Sequence, residues 1–465
     1  PLPAGLEEFD GASHELMAAM HRPLDTARHE AARRHFAVRE AAALFATVER
    51  ARRSRAARPA RTFPVDEVLG SRILARIPLQ LTADQDAAVR AIWQRLAGPP
   101  AMGVLLQGDV GTGKTAVAIA AAMAVLARGG QVAFLAPTEL LAEQHCAVVS
   151  AWLSETSVRV VLCTAVAKGF DHTAAGAQLV FGTHALLSGE HALPRLGLVI
   201  VDEQHRFGVA QRMALVHKGD NPHVLVMTAT PIPRTLALVM FGDLDVVLLR
   251  ERPPGRRPVR AFHLPAGEWP RAVRCIARAV ARRGRVFVVC PAVGEDGEKG
   301  GVVRVFEALA ARFRCGLVHG RLKTAERQAV LQSFRDGAID VLVGTTVLEV
   351  GVDVPDATLV VVVAADRFGI ATLHQLRGRV GRGARRGLAI LCGPRTERVA
   401  AVCRTTDGFA LAEADLAIRG SGELMGTQQS GFADLKALDP TEDLELLLRV
   451  RRAVQHDGGS TGGGA

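Results

Sequence analysis

Apolar positions along this chain fall in short unbroken runs and not in the alternation of half-exposed strands. The first series is GVLL from Gly103, VAFLA from Val132, LVIVD from Leu198 and VLVMTAT from Val224. A short run that is apolar on both faces predicts a strand buried between helical layers, the setting of a parallel sheet. The series breaks at 250–260, RERPPGRRPVR, whose prolines and charges predict a linker. A second series follows, with VFVVC from Val286, VLVGTT from Val341, TLVVVV from Thr358 and LAILC from Leu388. The expected fold class is therefore α/β, with lobes at 76–250 and 251–395 joined by a basic hinge.

The flanks have a different pattern. Residues 1–75 are dominated by Ala, Arg, Glu and Leu without strand runs, and REAAALFATVERARRSRAAR predicts a helix with a basic, solvated face. After the second lobe, FALAEADLAI has helical period within 396–450, and the glycine-rich end predicts a flexible tail at 451–465.

Composition narrows the class. The chain has 465 residues, 49% of them hydrophobic, and a mean hydropathy of +0.17, enough for large cores and about three domains. Its formal charge is +10, and only six of its 57 basic residues are Lys. An Arg excess favours planar pairing with phosphate, and it also follows from GC-rich coding, so charge permits a nucleic-acid partner without requiring one. The seven cysteines form no CxxC pair and no ligand-spaced cluster, which fits free buried thiols in a reducing cytosol. AVAIAAAMAVLA from Ala116 is too short to span a bilayer, and the N-terminus has no apolar signal core. A soluble cytoplasmic protein is expected, and the start at Pro1 suggests a fragment.

The chemistry begins at GDVGTGKT, Gly108–Thr115, which follows a strand run and opens an Ala-rich stretch. That is the context a phosphate-binding loop requires: glycines let backbone N–H groups approach phosphate oxygens, Lys114 reaches the β and γ phosphates, and Thr115 holds Mg²⁺. LVIVDEQH places Asp202 and Glu203 at the end of a buried strand. The first completes the Mg²⁺ shell and the second orients or deprotonates the attacking water. In QLRGRVGR, Arg379 and Arg382 lie three apart, so on a helix they share one face that reaches across the interlobe cleft.

The order of motifs completes this picture. LTADQ from Leu81 precedes the loop, and APTELLAEQH, FGTHALL, DEQHRFG, TATPIPRT, VLVGTTVLEVGVDVPDAT and FGIATLHQLRGRVGRG follow in succession. The chain resembles superfamily 2 helicases and, within them, the RecG family of ATP-dependent DNA helicases, over nearly all of residues 1–450. The resemblance implies two RecA-like parallel-sheet lobes, preceded by a helical segment and followed by a helical hairpin. It implies ATP and Mg²⁺, with nucleotide contacts from Gln85, Gly108, Asp109, Gly111, Thr112, Gly113, Lys114, Thr115, Gly351 and Asp353. It gives catalytic roles to Lys114, Asp202, Glu203, Arg379 and Arg382, and Mg²⁺ to Thr115 and Asp202. DNA contact or coupling falls to Pro137, Thr138, Gly182, Thr183, His205, Thr228, Thr230, Gly320, Thr345, Thr346 and Gln375.

The stretch DGFALAEADLAIRGSGELMGTQQSG, 407–431, resembles the translocation motif that RecG shares with transcription-repair coupling factors. That likeness implies a hairpin and moving loop at 396–450 with Arg398, Arg419 and Gln429 as coupling residues. Ser421 and Gln428 depart from the family's usual Pro and basic residue. No region resembles the family's N-terminal wedge domain. The implied partner is duplex, forked or four-way DNA, with a single-strand-binding protein or a separate wedge-bearing partner beside it. A monomer without membrane contact, associated with the bacterial nucleoid, is expected. Its expected work is fork regression and branch migration in recombination, replication restart and repair. The rival readings are a fragment of a coupling factor and a non-catalytic DNA-binding scaffold.

Overall fold

The structure is a computed structural model. It describes every residue except 1, 5, 7, 8, 10–12, 23–24, 164–175, 177, 184–185, 187–192, 203–220, 230–243, 256, 292–300, 350–353, 384, 420–436, 439–442 and 461–465.

The first lobe is a seven-stranded, wholly parallel sheet of β1 (Gly103–Gly108), β2 (Gln131–Leu135), β3 (Val160–Cys163), β4 (Leu179–Gly182), β5 (Leu196–Val201), β6 (His223–Thr228) and β7 (Asp245–Leu249). Their order is β3-β4-β2-β5-β6-β1-β7. The apolar runs bury both faces of the inner strands, one against Ile119, Phe134 and Leu198 and the other against Leu105, Val180 and Val226. Helices α4 (Ala83–Leu96) and α5 (Lys114–Ala127) cover one face. In α5 every residue from Ala116 to Leu126 is buried, which small alanines allow at close range. A capping box starts α4: the Thr82 hydroxyl accepts from the Gln85 backbone N–H, and the Gln85 side chain accepts from Thr82 N–H.

The second lobe is a six-stranded parallel sheet of β8 (Arg260–Leu264), β9 (Arg285–Val289), β10 (Cys315–Val318), β11 (Val341–Gly344), β12 (Ala357–Val362) and β13 (Leu388–Cys392). The order is β10-β11-β9-β12-β13-β8. Helices α7 (Trp269–Ala281), α8 (Gly301–Ala310), α9 (Thr324–Asp336), α10 (Ile370–Arg377), α11 (Glu397–Arg404) and α12 (Gly408–Arg419) accompany it; α6 (Glu139–Trp152) belongs to the first lobe. The expected strand runs all land on strands. The edges β7 and β8 flank the 250–259 linker and leave Val246, Leu248 and Phe262 exposed.

The N-terminal region forms α1 (Ser13–His21), the long α2 (Thr26–Ala56) and α3 (Glu67–Ala75). Between α2 and α3 the chain passes beneath the first sheet. Phe63 fills the space where side chains on Gly130 and Gly197 would lie, and His223 Nε2 donates to the Arg61 carbonyl at 2.8 Å. A last helix, α13 (Leu444–Ser460), packs on α2, and Leu6, Val38, Phe45, Leu438, Leu447 and Val454 form a core separate from both lobes. The expected flexible tail is thus corrected over 451–460, where α13 continues with Val450 and Val454 on the face buried against α2; residues 461–465 lie outside the described residues.

Candidate nucleotide site between the lobes

β1 and α5 position the loop Gly108–Thr115 at the carboxyl end of the first sheet. Gly111 and Gly113 have φ of 75° and 77°, a left-handed backbone that glycine adopts cheaply and that folds successive N–H groups inward. A Cβ on Gly113 would lie 2.2 Å from Gln85 Nε2, and one on Gly108 would lie 2.5 Å from the Thr112 hydroxyl. Lys114 Nζ donates to the carbonyls of Gly108 and Asp109, both at 2.8 Å, and the Thr112 hydroxyl also donates to Asp109 O at 3.0 Å. The lysine is therefore folded onto the loop's own carbonyls.

Gln85 lies buried beside this loop. Its amide is committed on both sides, with Oε1 accepting from Thr82 N at 2.9 Å and Nε2 donating to Thr112 O at 2.7 Å. Asp202 follows β5, and its carboxylate accepts from His145 Nε2 of α6 at 3.0 Å. The His145 ring packs on Phe134 with centroids 4.9 Å apart, which fixes its aim. Thr115 stands half-buried on the first turn of α5. A glycine cradle with a hydroxyl and a carboxylate as hard oxygen donors suits a Mg²⁺–triphosphate.

The second lobe meets the loop through α10, where His374, Gln375 and Arg377 are buried. His374 Nε2 donates to the Asp109 carboxylate, and Arg252 of the linker donates to it at 2.9 Å. Burial opposes the Asp109 charge, yet the bonds from His374 and Arg252 hold its carboxyl well below the usual carboxylate range. Arg377 donates to His374 Nδ1 at 2.6 Å and to the carbonyls of Val402 and Thr405 at 2.9 and 2.6 Å. Burial pushes the Arg377 guanidinium down to about 10, with the Asp109 charge resisting. Gly378 touches Val110, since a Cβ there would lie 2.7 Å from Val110 Cγ1.

One local expectation is corrected. Arg379 and Arg382 do not share a helical face, because α10 stops at Arg377 and the chain turns through Gly378 and Gly381, the latter with φ of 68°. Arg379 is buried, and Arg382 is half-buried with Nε donating to Gly378 O at 3.2 Å. Both still follow directly on the contact with the phosphate loop.

The residues expected at DNA sit at strand ends. Pro137 and Thr138 follow β2, Gly182 and Thr183 end β4, and Thr228 ends β6, all at the carboxyl edge of the first sheet. Gly320 follows β10, and Thr345 and Thr346 follow β11, at the same edge of the second. The Thr138 hydroxyl caps α6, and Gly182 is packed against the Cys163 carbonyl, so each also has a packing duty. Arg398 lies on α11 and Arg419 ends α12. Glu203, His205, Thr230, Gly351, Asp353, Gln429 and the stretch GSGELMGTQQSG lie outside the described residues. Sequence reasoning passed over His145, Arg252, His374 and Arg377; only the i, i+3 spacing of His374 and Arg377 gave a local signal.

Family models match in three places: DEAD/DEAH box helicase at 82–239, helicase conserved C-terminal domain at 271–384, and ATP-dependent DNA helicase RecG, domain 3, C-terminal at 405–458. The ATP-dependent DNA helicase RecG of Escherichia coli K12 is 39% identical over 493 residues, covering 98% of this chain and 70% of that protein. The chain belongs to the RecG family. The RecG of Synechocystis is 44% identical over 398 residues, covering 82% of the chain and 48% of the relative. A solved structure of RecG bound to a three-way DNA junction aligns with a TM-score of 0.77 at 35% identity, covering 95% of this chain and 60% of that one. This chain thus spans about half to seven-tenths of the RecG relatives it matches. Membership in RecG, whose own domain 3 model matches past Thr405, sets aside the coupling-factor reading. Among the described residues no helix is long and apolar enough to cross a membrane.

Proposed function

We propose that this chain is an ATP-dependent motor that moves on duplex or branched DNA, with Mg²⁺ as its metal. The observation that carries the reading is the meeting of the phosphate loop of one lobe with the end of α10 of the other, His374 on Asp109 and Gly378 on Val110. A site shared by two lobes makes their separation depend on what the loop holds. Lys114 and the loop N–H groups would bind the triphosphate, and Thr115 and Asp202 would hold the metal. Glu203 would orient the attacking water, and Arg379 and Arg382 would face the transferring phosphoryl group from lobe 2. Mg²⁺ bound there neutralises charge on the β and γ phosphates.

On this reading lobes 76–250 and 251–395 alternate between closed and open, and 396–450 passes the movement to DNA held across the sheet edges. Gln85 would border the adenine, and the strand-end loops would track phosphates without reading sequence. The motor acts as a monomer at forks and four-way junctions in the bacterial cytoplasm, with strand separation left to a wedge or a partner that supplies one. The test is ATPase activity with forked, linear duplex and single-stranded DNA. Stimulation strongest with branched DNA is expected; hydrolysis indifferent to all three overturns the motor reading and favours a scaffold.

A further inference from the structure

Asp109 occupies two networks at once. Its backbone carbonyl accepts from Lys114 Nζ and from the Thr112 hydroxyl. Its carboxylate, nearly inaccessible, accepts from two groups outside lobe 1, His374 Nε2 and Arg252 Nη2. The first network is the one that phosphates disturb, because a lysine drawn to a phosphate leaves the carbonyls of Gly108 and Asp109. The second leads away from the nucleotide.

The direction of that second network follows from donor chemistry. An arginine has no acceptor, so Arg377 Nη2 must donate to His374 Nδ1, which therefore carries no proton. His374 is then the tautomer with Nε2–H, and it donates to Asp109. The other arm of Arg377 donates to Val402 O and Thr405 O, and Arg252 Nη2 spans Asp109 and Thr406 O at 2.9 and 2.6 Å. Two separate paths thus run from one loop residue to the 402–406 turn. That turn ends α11 and starts α12, where the Asp407 carboxylate accepts from Phe409 N–H at 2.9 Å. The His374–Arg377 path is buried along its length up to Val402, so a shift at one end is not absorbed by water, whereas the Arg252 path is half-buried.

We propose that Asp109, His374, Arg377 and Arg252 form a relay that reports phosphate occupancy of the loop to the 402–406 turn. His374 and Arg252 act as positioning residues that tie hydrolysis to the motion of α12. The proposal rests on the motor reading above and assigns coupling to groups other than the arginines facing the phosphates.

Two cuts and one rescue test it. His374→Leu keeps volume and removes both bonds, Arg252→Ala removes the second path from a more exposed position, and His374→Gln restores an amide that donates to Asp109 while accepting from Arg377. Amide hydrogen exchange of 402–411 is measured with and without a non-hydrolysable ATP analogue, alongside base pairs travelled per ATP on duplex DNA. Each cut is expected to reduce the exchange response and the distance travelled per ATP hydrolysed about fivefold or more, and His374→Gln to recover both. An exchange response unchanged in both cuts overturns the relay, as does a distance per ATP equal to wild type. Failure of the motor reading is separate: wild-type ATPase would then ignore DNA, and the exchange measurement with the analogue would still decide the relay.

Discussion

Arg33→Ala is expected to loosen α13 from α2. Arg33 on α2 reaches Asp443, just before α13, through a bidentate pair at 2.8 and 2.9 Å. It also donates to Ala437 O at 3.0 Å and to Glu30 at 2.9 and 3.0 Å. The Asp443 and Glu30 bonds push the Arg33 guanidinium well above its ordinary range. Side-chain exposure decides which of these partners matters: 18% for Arg33 and 5% for Asp443, against 46% for Glu30. The Glu30 pair is screened and contributes about 0.5 kcal/mol or less. Loss of the bidentate bond to the Asp443 carboxylate, 5% exposed, costs about 3 kcal/mol. The core these helices share is small, so a loss of that size melts it ahead of the lobes. The assay is hydrogen exchange of α2 and α13 with thermal unfolding in parallel. Arg33→Met with Asp443→Leu is expected to recover all but about 1 kcal/mol, since an apolar pair carries no desolvation cost. A single variant within about 1 kcal/mol of wild type, or a double variant no better than the single, refutes the reasoning.

Other outcomes follow from the site. Lys114→Ala abolishes hydrolysis, and Arg382→Ala retains nucleotide binding measured by a fluorescent analogue but loses about 10³-fold or more in DNA-stimulated turnover; retained turnover removes the finger role from Arg382. Asp109 has a depressed folded-state pKa, so the stability it contributes is fully present above the unfolded value of about 4 and is lost only as pH falls further. The Asp109 contribution, followed by thermal unfolding, is therefore expected to fall away only below about pH 4, and its loss at higher pH counts against the pairing. Burial pushes the Cys290 thiol up to about 12 and the Cys392 thiol up to about 11, so neither is alkylated by iodoacetamide at pH 7.5 in the folded chain. Rapid native labelling of either one contradicts its burial.

The inner strands were legible because a parallel strand buried on both faces has nothing polar to interrupt it, and β1, β2, β5, β6, β9, β11, β12 and β13 fall on the apolar runs. The edges were harder: β7 alternates inward and exposed positions and β8 reads RAFHL, so neither stands out from the linker between them. β3, β4 and β10 are only four residues each, as is β11, so length alone did not set them apart. At the site, the glycines and Lys114 were legible because loop chemistry is local. His374 was not, because its partner Asp109 lies 265 positions away in another lobe. Arg252 was assigned to a linker on its neighbours' composition, whereas its side chain spans the loop and the 402–406 turn. The arginine pair was read as helical from spacing alone, and Gly378 ends the helix before either residue.

The joint between α2 and α13 has a consequence for synthesis. Arg33 waits for a partner 410 positions downstream, and Glu40 holds the backbone N–H groups of Ala437 and Leu438 nearly as far along. At about 5–20 residues per second the ribosome needs roughly 20–80 s to deliver them. Each lobe core, by contrast, is drawn from one contiguous stretch apart from a few borrowed residues. Helix α2 therefore finds its place only after both lobes have been made, and its joint with α13 is among the last contacts to form.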